Sequence, residues 1–201
     1  MTESPSESLG DLYNLLLQQA TETEFPPGRR IQLSLASFAI VRDHHHAIAI
    51  LLDLRLHASA FVLVRPLYEA AVKGMWLAHC ATEAESERYV KGFELDQVGD
   101  LLDDLLKSRL PASLSEQLQR IKTLYWKPLS SFVHAGHAQV TRWLTSTGVG
   151  NEYTEVEIAE IANFTAFVAV LASLERARLG KDEVAMASIA KLLPAGMSHE
   201  P

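Results

Sequence analysis

Residues 58–80, ASAFVLVRPLYEAAVKGMWLAHC, constrain the fold more than any other stretch of the chain. On a helix this segment is apolar on almost every side, apart from a thin line of Arg65, Glu69 and Lys73. The three charges stand four residues apart, so a helical backbone stacks them on one face. A helix this apolar belongs inside a packed fold, where charges need partners or a purpose. The line neutralises itself except for one positive charge. That charge asks for an anion, either a carboxylate from elsewhere (Asp43, Asp53 or Glu94) or a ligand.

The rest of the chain repeats the helical period and carries few strand signals. A first helix is expected from a Ser8 cap to about Gln19, ended by TETEFPPG at 21–28. Long helical segments follow over about 29–57 and 59–80, as two helices or one bent rod, the second segment kinked by Pro66. The capping-box pattern Thr82–Glu85 opens a helix to about Lys107, and Ser113–Glu116 opens another to about Trp126. Pro128 starts or kinks the next, which reaches about Thr145. Thr154–Glu157 opens an apolar helix to about Leu179, Gly180 caps it, and a short last helix ends before Pro194. The expected fold is all-α: residues 1–201 as one bundle of about seven helices with long antiparallel central helices. Residues 1–8 and 195–201 are expected to be flexible tails.

Charge and composition exclude several classes. A net charge of −7 disfavours a general binder of nucleic acid or anionic membrane, though a local basic groove remains compatible with it. The single cysteine, Cys80, rules out an internal disulfide and a cysteine metal cage, and it reads as a small apolar residue in a reducing, cytoplasmic protein. The acidic start MTESPSESLGD is unlike a secretory signal. The uncharged run Ile161–Leu174 is shorter than the roughly 20 residues of a membrane span, so a core helix and no membrane segment is expected.

Three constellations carry polar groups. The ladder is either a set of i,i+4 ion pairs, each worth about 0.2–0.5 kcal/mol when exposed, or the wall of a polar cavity. In the second case Arg65 clamps an anion, Glu69 orients it or acts as a base, and Lys73 adds charge. The second constellation is SSFVHAGHAQVTRW at 130–143. Read as one helix, it aligns Ser130, His134, His137 and Thr141 beside an apolar face. His134 and His137 then form an acid/base pair, or else His137 is a hydrogen-bonded core histidine and His134 is merely exposed. HxxH alone is a weak metal signal, and no metal or cofactor is assigned. The third is the run of histidines at 44–46. His46 shares the polar side of its helix with Arg42, Asp43 and Asp53, while His44 and His45 point into apolar faces. Three adjacent histidines point three ways and cannot all ligate one ion.

RPLYEAAVKGMWL at 65–77, WKPLSSFVHAGHAQVTRW at 126–143 and the Gly148, Tyr153 and Glu157 positions resemble a bacterial, mainly proteobacterial, all-helical family known only as a domain of unknown function. The resemblance covers roughly residues 30–180 and implies a helical cytoplasmic protein without implying an activity. A second, partial resemblance is to the Arg-x(4–6)-His motif of HEPN ribonucleases, with Lys127 in place of the arginine and His134 as the histidine. Lysine is the poorer bidentate phosphate clamp. This resemblance implies RNA cleavage in a toxin or phage-defence setting. Two readings follow. One is a catalytic or anion-binding pocket, with His134, His137, Glu69 and Lys127 as catalytic groups and Arg65, Lys73, Tyr125 and Ser130 holding RNA or a small anion. The other is a non-enzymatic module that forms a homodimer through its apolar helices.

Overall fold

Two long helices set the frame of this computed structural model, which describes residues 4–19, 23–108, 110, 112–124, 126–133 and 136–192. α2 (Arg29–Asp53) buries Ile31, Ser34, Phe38, Val41, His45, Ile48 and Leu52, a 3-4-3-4 spacing that makes one continuous seam. α3 (His57–His79) answers with Ala60, Val64, Leu67, Ala71, Gly74 and Ala78 at the same spacing. The chain reverses between them at Leu54–Leu56, with Arg55 in the left-handed region at φ 56° and Leu56 N–H donating to the Leu51 carbonyl at 2.8 Å. Two contacts fix the antiparallel register. Ser34 Oγ donates to the Gly74 carbonyl at 2.8 Å, and Arg30 Nη1 to the Ala78 carbonyl at 2.7 Å. Pro66 lies inside α3 without ending it.

α9 (Glu155–Leu179) is the third large element and packs against both α2 and α3. It is long and apolar enough to cross a membrane by length and composition, but 56% of its most apolar stretch is buried in the bundle. The uncharged run Ile161–Leu174 lies within it and buries Ala162, Phe164, Phe167, Val168 and Leu171. α1 (Pro5–Gln18) and α10 (Glu183–Ala190) pack against α9, forming a smaller core with Leu16, Ala169, Val170, Ala185 and Ile189. α4 (Glu83–Val90) packs against α2, while α5 (Val98–Lys107), α6 (Ala112–Leu124) and α7 (Trp126–Val133) complete the main core, with α5 and α7 against α3. A four-residue α8 (His137–Val140), a 3₁₀ turn and a two-residue β-hairpin, β1 (Leu144–Thr145) and β2 (Gly148–Val149), lead into α9.

The all-α class is as expected, with ten α-helices among the described residues rather than about seven. The extra ones come from two breaks. After Val90 the apolar period stops, the Lys91 N–H caps back onto Glu87 and Arg88 carbonyls, and helix resumes only at Val98; the expected single helix to Lys107 is two. At Gly136 the expected helix to Thr145 is also interrupted. Gly136 is extended at φ −69°, ψ 178°, and a Cβ there would lie 2.6 Å from the Ser131 carbonyl oxygen. The Ala138 N–H instead donates to Ser131 Oγ at 3.0 Å.

The expected helix caps are met in part. Thr82–Glu85 and Thr154–Glu157 form both halves of their capping boxes. The first helix, however, is capped by Ser4 and Glu7 rather than Ser8, and Pro5 occupies its first turn, where a missing N–H costs nothing. α6 already begins at Ala112, so Ser113 is not its cap.

Candidate functional site

The ladder exists as a local pair. Arg65 Nε donates to Glu69 Oε1 at 2.7 Å, with side chains 20% and 26% exposed, and Lys73 is half-buried on the same helix. α7, which carries Lys127 and Ser130, packs against α3. The side chains of those two residues, and His134 and Tyr125 altogether, lie outside the described residues. The histidine strip needs correction, because the break after Val133 removes the single helix that aligned it. His137 is exposed as the first residue of α8, where its carbonyl accepts from Thr141 Oγ1 at 2.7 Å. Among the described residues, no group of three or more His, Cys, Asp or Glu side chains could hold a metal ion.

Downstream of that break, Arg142 ties the hairpin to α9. Its guanidinium binds Glu157 and sits 4.9 Å over the Phe132 ring and 5.9 Å over Tyr153. Burial pushes the Glu157 carboxyl up, but hydrogen bonds from Thr154 and Arg142 outweigh it and hold the group below its ordinary value. A buried carboxylate braces the far end of α3. Glu175 on α9 is 1% exposed and bonds His79 Nε2 at 2.7 Å and the Arg178 guanidinium.

A cleft among α1, α2, α9 and α10 gathers Tyr13, Gln19, Arg42, His45, Ser173 and Arg176 around a cavity of about 80 Å³. Its floor is apolar, from Phe38, Ala169, Ala172 and Ile189. The two guanidiniums come from helices far apart in sequence. Burial, and next the charge of Arg42, push Arg176 below the ordinary arginine range, while Asp182 works the other way. Arg176 also lies 5.1 Å over the Phe25 ring. Arg42 has a loose 3.9 Å contact with Asp43, both side chains well exposed, which in water is worth little.

His45 occupies a seam position of α2, 1% exposed, and its Nε2 has no hydrogen-bond partner. Tyr13 packs against the histidine run, stacked on His46 at 4.1 Å and edge-on to His45 at 6.0 Å. The expectation that His45 points into an apolar face is met, and His46 is exposed on the polar side. Burial pushes the His45 imidazole down to about 4; a hydrogen bond to the Leu9 backbone opposes this, and the neighbouring His46 adds to it. The ring is therefore neutral at pH 7.

The sign for stability follows. Between about pH 6.5 and 4 the unfolded chain takes up a proton at this histidine that the folded chain refuses, so stability falls as pH falls. The whole step amounts to about 3 kcal/mol. His44 and His57, both lowered first by burial, act in the same direction. Denaturant titrations at pH 7 and pH 4.5 will show this loss in wild type and a clearly smaller one in His45→Phe. Equal losses in the two proteins would place the proton elsewhere.

Sequence reading singled out Arg42 and the histidine run but did not join them to Arg176, Ser173 or Tyr13. The available signal was the 31-34-38-41-45-48-52 seam, which puts an imidazole in the middle of a core. The fold and the cleft together define an all-helical protein with a small cationic cavity between its first, second and last two helices. The chain belongs to the family of unknown function DUF6988, which it matches over residues 38–195. That segment contains Arg42, His45, Ser173 and Arg176, whereas Tyr13 and Gln19 precede it. No curated protein and no solved structure matches the chain.

Proposed function

We propose that this protein binds a small organic anion in the cleft among α1, α2, α9 and α10. The observation that carries the reading is that Arg42 and Arg176, from separate helices, line one small cavity together with Phe38, Ala169, Ala172 and Ile189. Guanidiniums are the side chains best shaped to receive a carboxylate, through paired N–H donors. The apolar floor favours a carboxylate with a short carbon body over a bare inorganic ion. The net charge of −7 limits the attraction to this one spot and argues against a polyanion.

Thermal unfolding with added butyrate tests the proposal. A site occupied at a hundred times its dissociation constant stabilises the folded state by about 2.7 kcal/mol, and the midpoint rises accordingly. Arg176→Gln and Arg42→Gln will each weaken binding at least about tenfold, the loss of one charge-assisted contact. An equal shift with uncharged butanol, or no shift with butyrate, defeats the proposal.

A further inference from the structure

We infer that two copies of this chain pair through the open side of the α2–α3 hairpin, with α2 of one protomer antiparallel on α2 of the other. The inference is independent of the cleft. α2 carries two apolar seams, and the one already described faces the core. The other is Leu33, Ser37, Ile40, His44, Ala47 and Leu51, again at alternating spacings of three and four, and Leu54 continues it into the turn. It holds no aspartate, glutamate, lysine or arginine. Ile40 and Leu54 are 48% and 61% exposed, and the other positions are half-buried. An apolar stripe beyond the one that meets the core is what a helix carries when something else packs on it.

The seam belongs to a wider face. Ser34 bonds the Gly74 carbonyl where the two helices meet. Counting about 100° per residue from that contact puts the seam on the same side of the pair as Leu63, Pro66 and Ala70 of α3. Arg42 and Tyr68 fall on the other side, where α9 packs. The face is roughly 30 Å long and two helices, or roughly 20 Å, across. That makes about 600 Å² before its ridges are counted, the lower end of what each partner in a stable interface buries. The order of the seam names the occupant. Two copies of α2 crossing antiparallel at His44 set Ile40 against Ala47 and Leu51 against Ser37, a large side chain against a small one each time. Leu33 then meets Leu54 at the two ends. A two-fold pairing works in this reciprocal way, each residue meeting the one that meets it. An unrelated partner would place no such demand on the order.

Sedimentation equilibrium of the full chain at micromolar concentrations tests the inference. The expected result is a dimer. Ile40→Glu will weaken it at least about a hundredfold, because each dimer would then bury two unpaired carboxylates. Leu54→Glu, at the end of the seam, will weaken it less. Both positions are exposed in the single chain, so circular dichroism of the two variants will match wild type. Cross-linking reads the arrangement. In a Cys80→Ser background, His44→Cys will form a disulfide with its own copy under mild oxidation, and so will a mixture of Ile40→Cys and Ala47→Cys chains. Val184→Cys, 79% exposed on α10, will not. Should Ile40→Glu fail to fold, Leu54→Glu and the cross-links decide. A wild-type chain that stays monomeric overturns the inference. A dimer that both glutamate substitutions leave intact overturns the choice of face. A dimer that they weaken, but that forms no cross-link through His44→Cys, overturns the antiparallel arrangement.

Discussion

Gly74→Leu will lower the stability of the fold by several kcal/mol. Gly74 of α3 faces Phe38 of α2, and a Cβ at position 74 would lie 2.5 Å from Phe38 Cε1 and 2.8 Å from Cδ1. The ring cannot swing aside, because Phe38 is 5% exposed in the main core. Any side chain at Gly74 improves helix propensity by up to about 1 kcal/mol. Overpacking a filled core costs about 1–3 kcal/mol for small additions, and leucine adds four carbons. The net loss is therefore several kcal/mol, set against a total stability of about 5–15 kcal/mol for an ordinary domain. The pair Phe38→Ala and Gly74→Leu exchanges the bulky partner from one helix to the other. It will recover part of the loss, although Phe38→Ala alone costs about 3–5 kcal/mol. Urea unfolding followed by circular dichroism reads all three proteins. A Gly74→Leu chain as stable as wild type would show that the two helices can separate at little cost.

The second large effect concerns Glu175, and its sign is asymmetric. Removing both partners, as His79→Ala with Arg178→Ala, leaves a carboxylate buried without compensation and will cost about 3–5 kcal/mol. Glu175→Gln removes the charge instead and leaves two partners that can turn toward water, since their side chains are 25% and 43% exposed. That change will cost only about 1–2 kcal/mol, the loss of charge-assisted bonding. Chemical denaturation of the two variants decides the matter. If Glu175→Gln proves the more damaging, the carboxylate is held by something other than these two side chains.

Much of this architecture could be read from local pattern. Helix period, capping boxes at Thr82 and Thr154, and turn residues around Gly28 and Gly148 report on neighbours a few positions away, and a single sequence shows them directly. The breaks at Lys91–Gln97 and around Gly136 were missed because they depend on where the packed surface ends. Apolar residues on both sides of each break suggested continuity. The cleft was missed for a stronger reason. Its lining comes from α1, α2, α9 and α10, and no local period encodes which of four helices will adjoin. Arg42 and Arg176 look like ordinary polar positions until α9 is laid beside α2. The Arg65–Glu69 pair, by contrast, was legible because both members sit on one helix.

The reversal at Leu54–Leu56 also sets an order of assembly. α2 and α3 are joined by only these few residues, so their pairing closes a short loop at small entropic cost. The contact of His79 with Glu175 closes a loop of 96 residues, and the cleft waits on the same arrival of α9. Contacts that are distant in sequence are the slow ones. By its topology the chain forms its scaffold early and its cavity late, so any ligand bound there would stabilise only the last stage of folding. It would act by slowing the departure of α9 and α1 and would leave the initial pairing of α2 with α3 untouched.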